Sequence, residues 1–172
     1  MDILKKNYFE LFGLKVSTQI DLADLDEKFT ILQKQFHPDK FSNSSDIEKR
    51  IALQISSYLN DGHITLCDFV KRVEYILKIK KFDTDESRTL FDEEFLEEQI
   101  ELNERIEQIK TDQGESNKAS ILIVALTKKM EVLVKSINEY LSQTKYDMVW
   151  DNLAKYKFYR NHLIELEPMT KQ

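Results

Sequence analysis

Apolar residues recur three and four positions apart along most of this chain, the spacing of helices with one buried face. Leu22, Leu25, Phe29, Leu32 and Phe36 form one such face, on a helix expected to start near Asp21. Pro38 disfavours the helical region for the residue before it, so this helix should stop near Phe36 or His37. Residues 41–44 read as loop, after which Ser45-Asp46-Ile47-Glu48 has capping-box spacing for a second helix. Its seam is Ile47, Ile51, Ile55, Leu59, Gly62 and Leu66. Asp61-Gly62 alone resembles a turn. The seam nevertheless continues in register through Gly62, which therefore reads as a close helix–helix contact costing about 1 kcal/mol against alanine. So short a connection returns the second helix antiparallel to the first. Ahead of this hairpin, residues 7–13 predict one or two helical turns ended by Gly13, with aromatics that need a surface to pack on. Behind it, Asp68 can cap a helix turning Phe69, Val70, Val73, Ile76 and Leu77 inward.

The pattern breaks over residues 80–87, which marks a domain boundary. Three longer helices follow, over 92–110, 116–141 and 146–166, with turns at 111–114 and 142–144. Joined so tightly, they predict an antiparallel three-helix bundle. In the first of them Phe95, Gln99, Leu102, Ile106 and Ile109 make the core seam. Leu96 and Ile100 lie about 100–140° away from it. They are ringed by Glu93, Glu97, Glu101, Glu104 and Glu107. In the last helix Phe158 lies off the seam formed by Val149, Leu153, Tyr156 and Leu163. Apolar residues off a core face amid carboxylates suit a small interface, or packing against the preceding domain.

Composition narrows the class. With 33% charged residues, 3 glycines and 2 prolines the chain is all-α, since an all-β fold needs more turns. A net charge of −6 argues against non-specific nucleic-acid binding. The longest apolar run, residues 121–126, is too short for a bilayer, and the N-terminus lacks the apolar core of a signal peptide. Cys67 is the single cysteine, which leaves no intrachain disulfide. A soluble protein of a reducing compartment, the cytoplasm, is the economical expectation. His63, His162 and Cys67 read as ordinary residues, and Trp150 and the tyrosines as core. No nucleophile–base pair and no metal-ligand spacing is visible, so neither an enzyme nor a cofactor or metal site is expected.

What stands out is the corner His37-Pro38-Asp39-Lys40, polar and held between two packed helices. Such a corner is a recognition loop on a rigid scaffold, or else a proline stop with a local aspartate turn. Asp39 offers a carboxylate to a bidentate arginine, while Lys40, Lys34 and Lys28 can face an acidic patch.

A short aromatic helix, an antiparallel hairpin joined by His37-Pro38-Asp39 and a closing helix together resemble a J-domain. The match is closer to the HscB family of J-type co-chaperones, through Tyr8-Phe9-Glu10-Leu11-Phe12-Gly13-Leu14 and His37-Pro38-Asp39-Lys40-Phe41. Leu59-Asn60, Thr65-Leu66, Arg72-Val73-Glu74-Tyr75-Ile76-Leu77, residues 95–102 and Lys157-Phe158 carry it through nearly the whole chain. The chain departs from the family pattern at Glu97, usually apolar, at Phe69, usually proline, and at Gly62, usually alanine. The resemblance implies a J-domain over 1–82, a linker over 83–90 and a C-terminal three-helix scaffold-binding domain over 91–172. It further implies stimulation of an HscA- or DnaK-type ATPase chaperone through the corner, and delivery to it of an IscU-type iron–sulphur scaffold protein. Leu96, Ile100, Glu101, Glu104 and Phe158 fall on the family's scaffold-contact positions. A monomer is expected. The competing readings are a J-protein serving another client, and a helical protein that self-associates through Leu96 and Ile100.

Overall fold

Short side-chain caps decide where the first helices begin. Asn7 and Glu10 form a reciprocal capping box at the start of α1 (Tyr8–Leu11). Asp21 accepts from the Ala23 and Asp24 backbone N–H groups and opens α2 (Leu22–Phe36). Ser45 and Glu48 form the capping box of α3 (Asp46–Cys67), and Asp68 caps α4 (Phe69–Ile79). Each cap satisfies donors that would otherwise be orphaned, worth about 1 kcal/mol apiece. Gly13 takes the left-handed conformation (φ 62°) that stops α1, and Leu14 N–H closes onto Phe9 O at 2.7 Å. Two short 3-10 turns, Ile3–Lys5 and Pro38–Phe41, complete this part.

The computed structural model describes residues 3–84, 92–111 and 116–171. The chain divides into two compact units, Met1–Asp83 and Thr84–Gln172. Most of the expected connection 83–90 and of the expected turn 111–114 lies outside the described residues.

In the first unit α2 and α3 run antiparallel, so that Asp26 and Phe29 early in α2 meet His63 late in α3. Leu25, Ile55, Leu59, Leu66 and Leu77 are fully buried between α2, α3 and α4. Phe9 and Phe12 anchor α1 on this core. A Cβ on Gly62 would stand 2.9 Å from Tyr8 Cδ1 and 3.2 Å from Phe12 Cε2, so the glycine does serve a close approach, that of α1. The Tyr8 ring has little room to yield. It stacks on Tyr75 at 4.5 Å and tilts against Tyr58 at 5.0 Å. Its backbone N–H also donates to Tyr75 Oη at 3.0 Å. Gly62→Leu should therefore lose about 1–3 kcal/mol through overpacking. Gly62→Ala should come out near neutral, because the better helix propensity of alanine offsets the forced shift. Urea denaturation of the full chain checks this, and an unchanged midpoint for Gly62→Leu would mean α1 is not held against α3.

Several expectations for this unit need correction. Leu22 and Ile47, assigned to the buried seams, are 46% and 66% exposed. Each sits in the first turn of its helix, where the Cα–Cβ bond leans toward the N-terminus and carries the side chain past the end of the packed face. Phe41, expected in loop, belongs to the 3-10 turn that follows Pro38. Phe69 is only half-buried, whereas Arg72 is buried and donates Nη1 to the Leu66 carbonyl oxygen at the α3–α4 junction.

The second unit is an up-down-up bundle of α5 (Glu93–Thr111), α6 (Ser116–Ser142) and α7 (Tyr146–Leu166), extended by a 3-10 turn, Glu167–Lys171. Asp92 accepts from the Phe95 N–H at 2.7 Å and caps α5. Thr144, at φ 57°, turns the chain between α6 and α7, with Lys145 N–H closing onto Tyr140 O at 2.9 Å. Parallel α5 and α7 are tied along their length by Asp92–Lys155, Glu98–Tyr159 and Lys110–Glu165. The core joins Phe95, Leu102 and Ile106 to Leu122, Leu126, Tyr159 and Leu166. Trp150 is buried in α7, with the Lys157 ammonium 4.9 Å from its ring centre. The α7 seam differs from expectation. Tyr156 and Leu163 are half-buried, and Tyr159, His162 and Leu166 take the inner positions. Polar tips do not keep Tyr159 and His162 outside, because Glu98 and Gln99 on α5 satisfy them.

His162 Nε2 lies 3.0 Å from Gln99 Oε1, and burial holds the ring below its ordinary pKa against the opposing pull of Glu165. A depressed folded-state pKa means the unfolded chain takes up the proton first. The stabilisation is complete above the unfolded value, about 6.5, and is lost as pH falls toward the folded one. Thermal melts should show a loss on moving from about pH 7.5 to 5.5 that is smaller in His162→Gln. Equal losses in both proteins would exclude His162 as the source.

Candidate functional site

The corner is built by its proline. His37 takes the extended backbone (φ −60°, ψ 130°) required before Pro38, and Pro38 starts the 3-10 turn with its φ already suited to it. His37 Nδ1 accepts from the Asp39 N–H at 3.3 Å and lies 3.5 Å from Asp39 Oδ2. Nδ1 thus faces the turn, and Nε2 lies on the side of the ring away from it. Lys40 N–H closes the turn onto His37 O at 3.0 Å. His37, Asp39 and Lys40 are exposed, and Pro38 is half-buried beneath them. Gln33, Lys34, His37 and Lys40 line one shallow depression. Gln33 was not singled out from sequence, although its i,i+4 spacing to His37 was available. Lys28 does not join them. It lies more than two helical turns upstream, about 13 Å along the axis. Its ammonium is paired with Asp24 at 2.7 Å.

The second surface is on the bundle. Leu96, Ile100 and Phe158 are 48%, 60% and 41% exposed, and Glu97, Glu101 and Glu104 are exposed with them. Leu96 and Ile100 are one turn apart on α5 and form a continuous apolar strip. Phe158 meets the buried Phe95 ring edge-on, at 5.9 Å and 76°. Beneath it Lys155 lies 5.0 Å over Phe95 while paired with Asp92 at 2.7 Å, which pulls the Asp92 carboxyl below its usual range. Glu98 accepts from Tyr159 Oη at 2.8 Å and pairs with Lys129; burial and Glu98 push the Tyr159 phenol strongly up. This bonded layer fixes α7 on α5 and holds Phe158 in place above it.

A third constellation was not anticipated. His63 and Cys67, one turn apart on α3, converge with Asp26 of α2. His63 Nε2 is 2.6 Å from Asp26 Oδ1 and 3.4 Å from Cys67 Sγ. Burial first, and the Asp26 charge second, push the Cys67 thiol up. The His-x-x-x-Cys spacing was in the sequence, but the third member comes from another helix.

A helical hairpin bearing an exposed His-Pro-Asp corner, followed by a helical bundle, defines a J-domain co-chaperone. Residues 91–167 match the family described as the HSCB C-terminal oligomerisation domain. A co-chaperone protein HscB homolog from Colwellia psychrerythraea is 35% identical over 166 residues, covering 94% of each chain. One from Vibrio cholerae is 32% identical over 167 residues, covering 96% of this chain and 98% of its own. Among solved structures, chaperone HscB from Vibrio cholerae superposes with TM-score 0.86 at 30% identity, covering 97% of this chain and 99% of its own. Human co-chaperone protein HscB gives 0.85 at 25% identity, covering 95% of this chain and 81% of its own. The chain belongs to the HscB family of co-chaperones. Among the described residues no helix is long and apolar enough to cross a membrane.

Proposed function

We propose that this chain stimulates ATP hydrolysis by an HscA- or DnaK-type chaperone and brings to it an IscU-type scaffold during iron–sulphur protein maturation. The observation that carries the first half is the corner, where a rigid turn presents His37 and the Asp39 carboxylate beside Lys34 and Lys40. A carboxylate held this way can take an arginine through two parallel hydrogen bonds, with the lysines steering an acidic partner. Lys28 contributes at the edge of that surface, once its pairing with Asp24 is exchanged. Binding accelerates hydrolysis only if it favours the partner conformation that hydrolyses ATP. What supports the second half is that Leu96, Ile100 and Phe158 are exposed apolar side chains on α5 and α7, with Glu101 and Glu104 exposed on α5, residue types that suit an apolar centre with a charged rim.

In this reading the two units divide the work, residues 1–82 for the chaperone and 91–172 for the scaffold. The test is steady-state ATPase of the purified chaperone with this chain, with the scaffold, and with both. More stimulation by both together than the sum of the separate effects is expected. Strict additivity would remove scaffold delivery from the function, and no stimulation by the chain alone would remove the J-domain role.

A further inference from the structure

We propose that Asp26, His63 and Cys67 form a transition-metal site that binds Zn2+ through one oxygen, one nitrogen and one sulphur, with a fourth position open to water. Their ligand atoms all lie within 4.8 Å of one another. The Asp26 oxygen and the Cys67 sulphur lie 2.6 and 3.4 Å from His63 Nε2, and the sulphur lies farther, 3.9 Å, from Nδ1. The closer sulphur contact is thus on the nitrogen that Asp26 faces, whereas in a catalytic relay acid and nucleophile occupy opposite nitrogens of the imidazole. Zinc bonds of about 2.0–2.3 Å imply tetrahedral ligand–ligand edges of roughly 3.3–3.6 Å. The nitrogen–sulphur edge already has that length. The nitrogen–oxygen edge needs to lengthen by less than about 1 Å, and Asp26 is exposed and able to rotate.

The site is also preorganised. Phe29 stacks on the His63 ring at 4.1 Å and 21°, which fixes the direction of Nε2. His63 and Cys67 share one face of a capped helix. Thiolate with imidazole favours zinc over magnesium or calcium, and three protein ligands leave the open position typical of non-structural zinc sites. Binding replaces the thiol proton, which leaves to solvent, and the ion joins α2 to α3 at the end of the hairpin remote from His37.

The experiment titrates the untagged, chelator-stripped full chain with Co2+ and then with Zn2+. One Co2+ per chain should give a near-ultraviolet thiolate-to-cobalt band with the visible bands of a four-coordinate ion, and Zn2+ should abolish both. Since the chain has 1 cysteine, the band can report only Cys67. Cys67→Ser should lose the band. His63→Gln should weaken Co2+ binding by at least the roughly tenfold typical of losing even an outer-shell partner. Zn2+ should raise the melting temperature of the wild type and leave that of Cys67→Ser unchanged. No band at saturation would overturn the proposal, as would undiminished affinity in His63→Gln. Light scattering that shows two chains sharing each ion would overturn it too.

Discussion

Replacing His37 with glutamine is expected to abolish stimulation of the chaperone ATPase while leaving the fold and scaffold binding intact. The ring is exposed, lies outside the cores of both flanking helices and bonds to Asp39, two residues on. A surface change of this kind moves stability by about 0.5 kcal/mol or less. Glutamine nevertheless loses what the imidazole supplies, a flat ring oriented by Nδ1 with Nε2 turned outward. If the partner reads that edge together with the Asp39 carboxylate, the contact that biases its conformation disappears. Single-turnover hydrolysis with a matched thermal melt decides the matter. Stimulation at the wild-type level by a folded mutant would end the J-domain reading of the corner.

Leu96→Ala combined with Phe158→Ala is expected to weaken scaffold binding by about tenfold or more. Full burial of either side chain at an interface is worth roughly 1.5–3 kcal/mol in transfer terms. Ordering costs reduce the net gain, so only central residues should register as hot spots. The edge contact of Phe158 with Phe95 adds a modest stability cost, and the titration needs a melt beside it. Glu104→Ala should act more weakly and lose its effect at high salt, as rim charges are screened. Stimulation without scaffold should survive, since neither change touches the corner. Wild-type affinity in calorimetric titration of the double mutant would refute the patch. A large fall in melting temperature would return both residues to the core.

Caps and periodic faces were legible in the residues because both are local. Asp21, Ser45 and Asp68 announce their helices within four positions, and the proline stop after Phe36 is a property of one ring. Gly62 was legible as a close approach because its seam ran on through it, although the partner, Tyr8 of α1, was not. The exposure of Leu96, Ile100 and Phe158 follows from the same periodicity, and the polar corner from the proline stop between two such faces. Periodicity fails where position along the helix matters, as at Leu22 and Ile47, because it assigns a side and says nothing of where the partner ends. It also fails for amphipathic side chains. Tyr159, His162 and Arg72 enter buried layers through partners on other helices or at a junction, information that no window of one helix contains. The meeting of Asp26 with His63 and Cys67 is of this kind. Asp26 and His63 are 37 residues apart, and only the hairpin pairing brings them together.

Trp150 is the chain's 1 tryptophan, and it is buried in α7. Its emission, excited selectively at the red edge of aromatic absorption, is therefore an optical signal that belongs to the second unit alone. Far-ultraviolet circular dichroism sums every helix in both units. Gly62→Leu should accordingly shift the dichroism curve while leaving the indole curve in place, and acidification acting through His162 should move the indole curve. Where the two signals part, a single unfolding free energy for the chain has no meaning, and each substitution should be scored against the unit whose signal it moves.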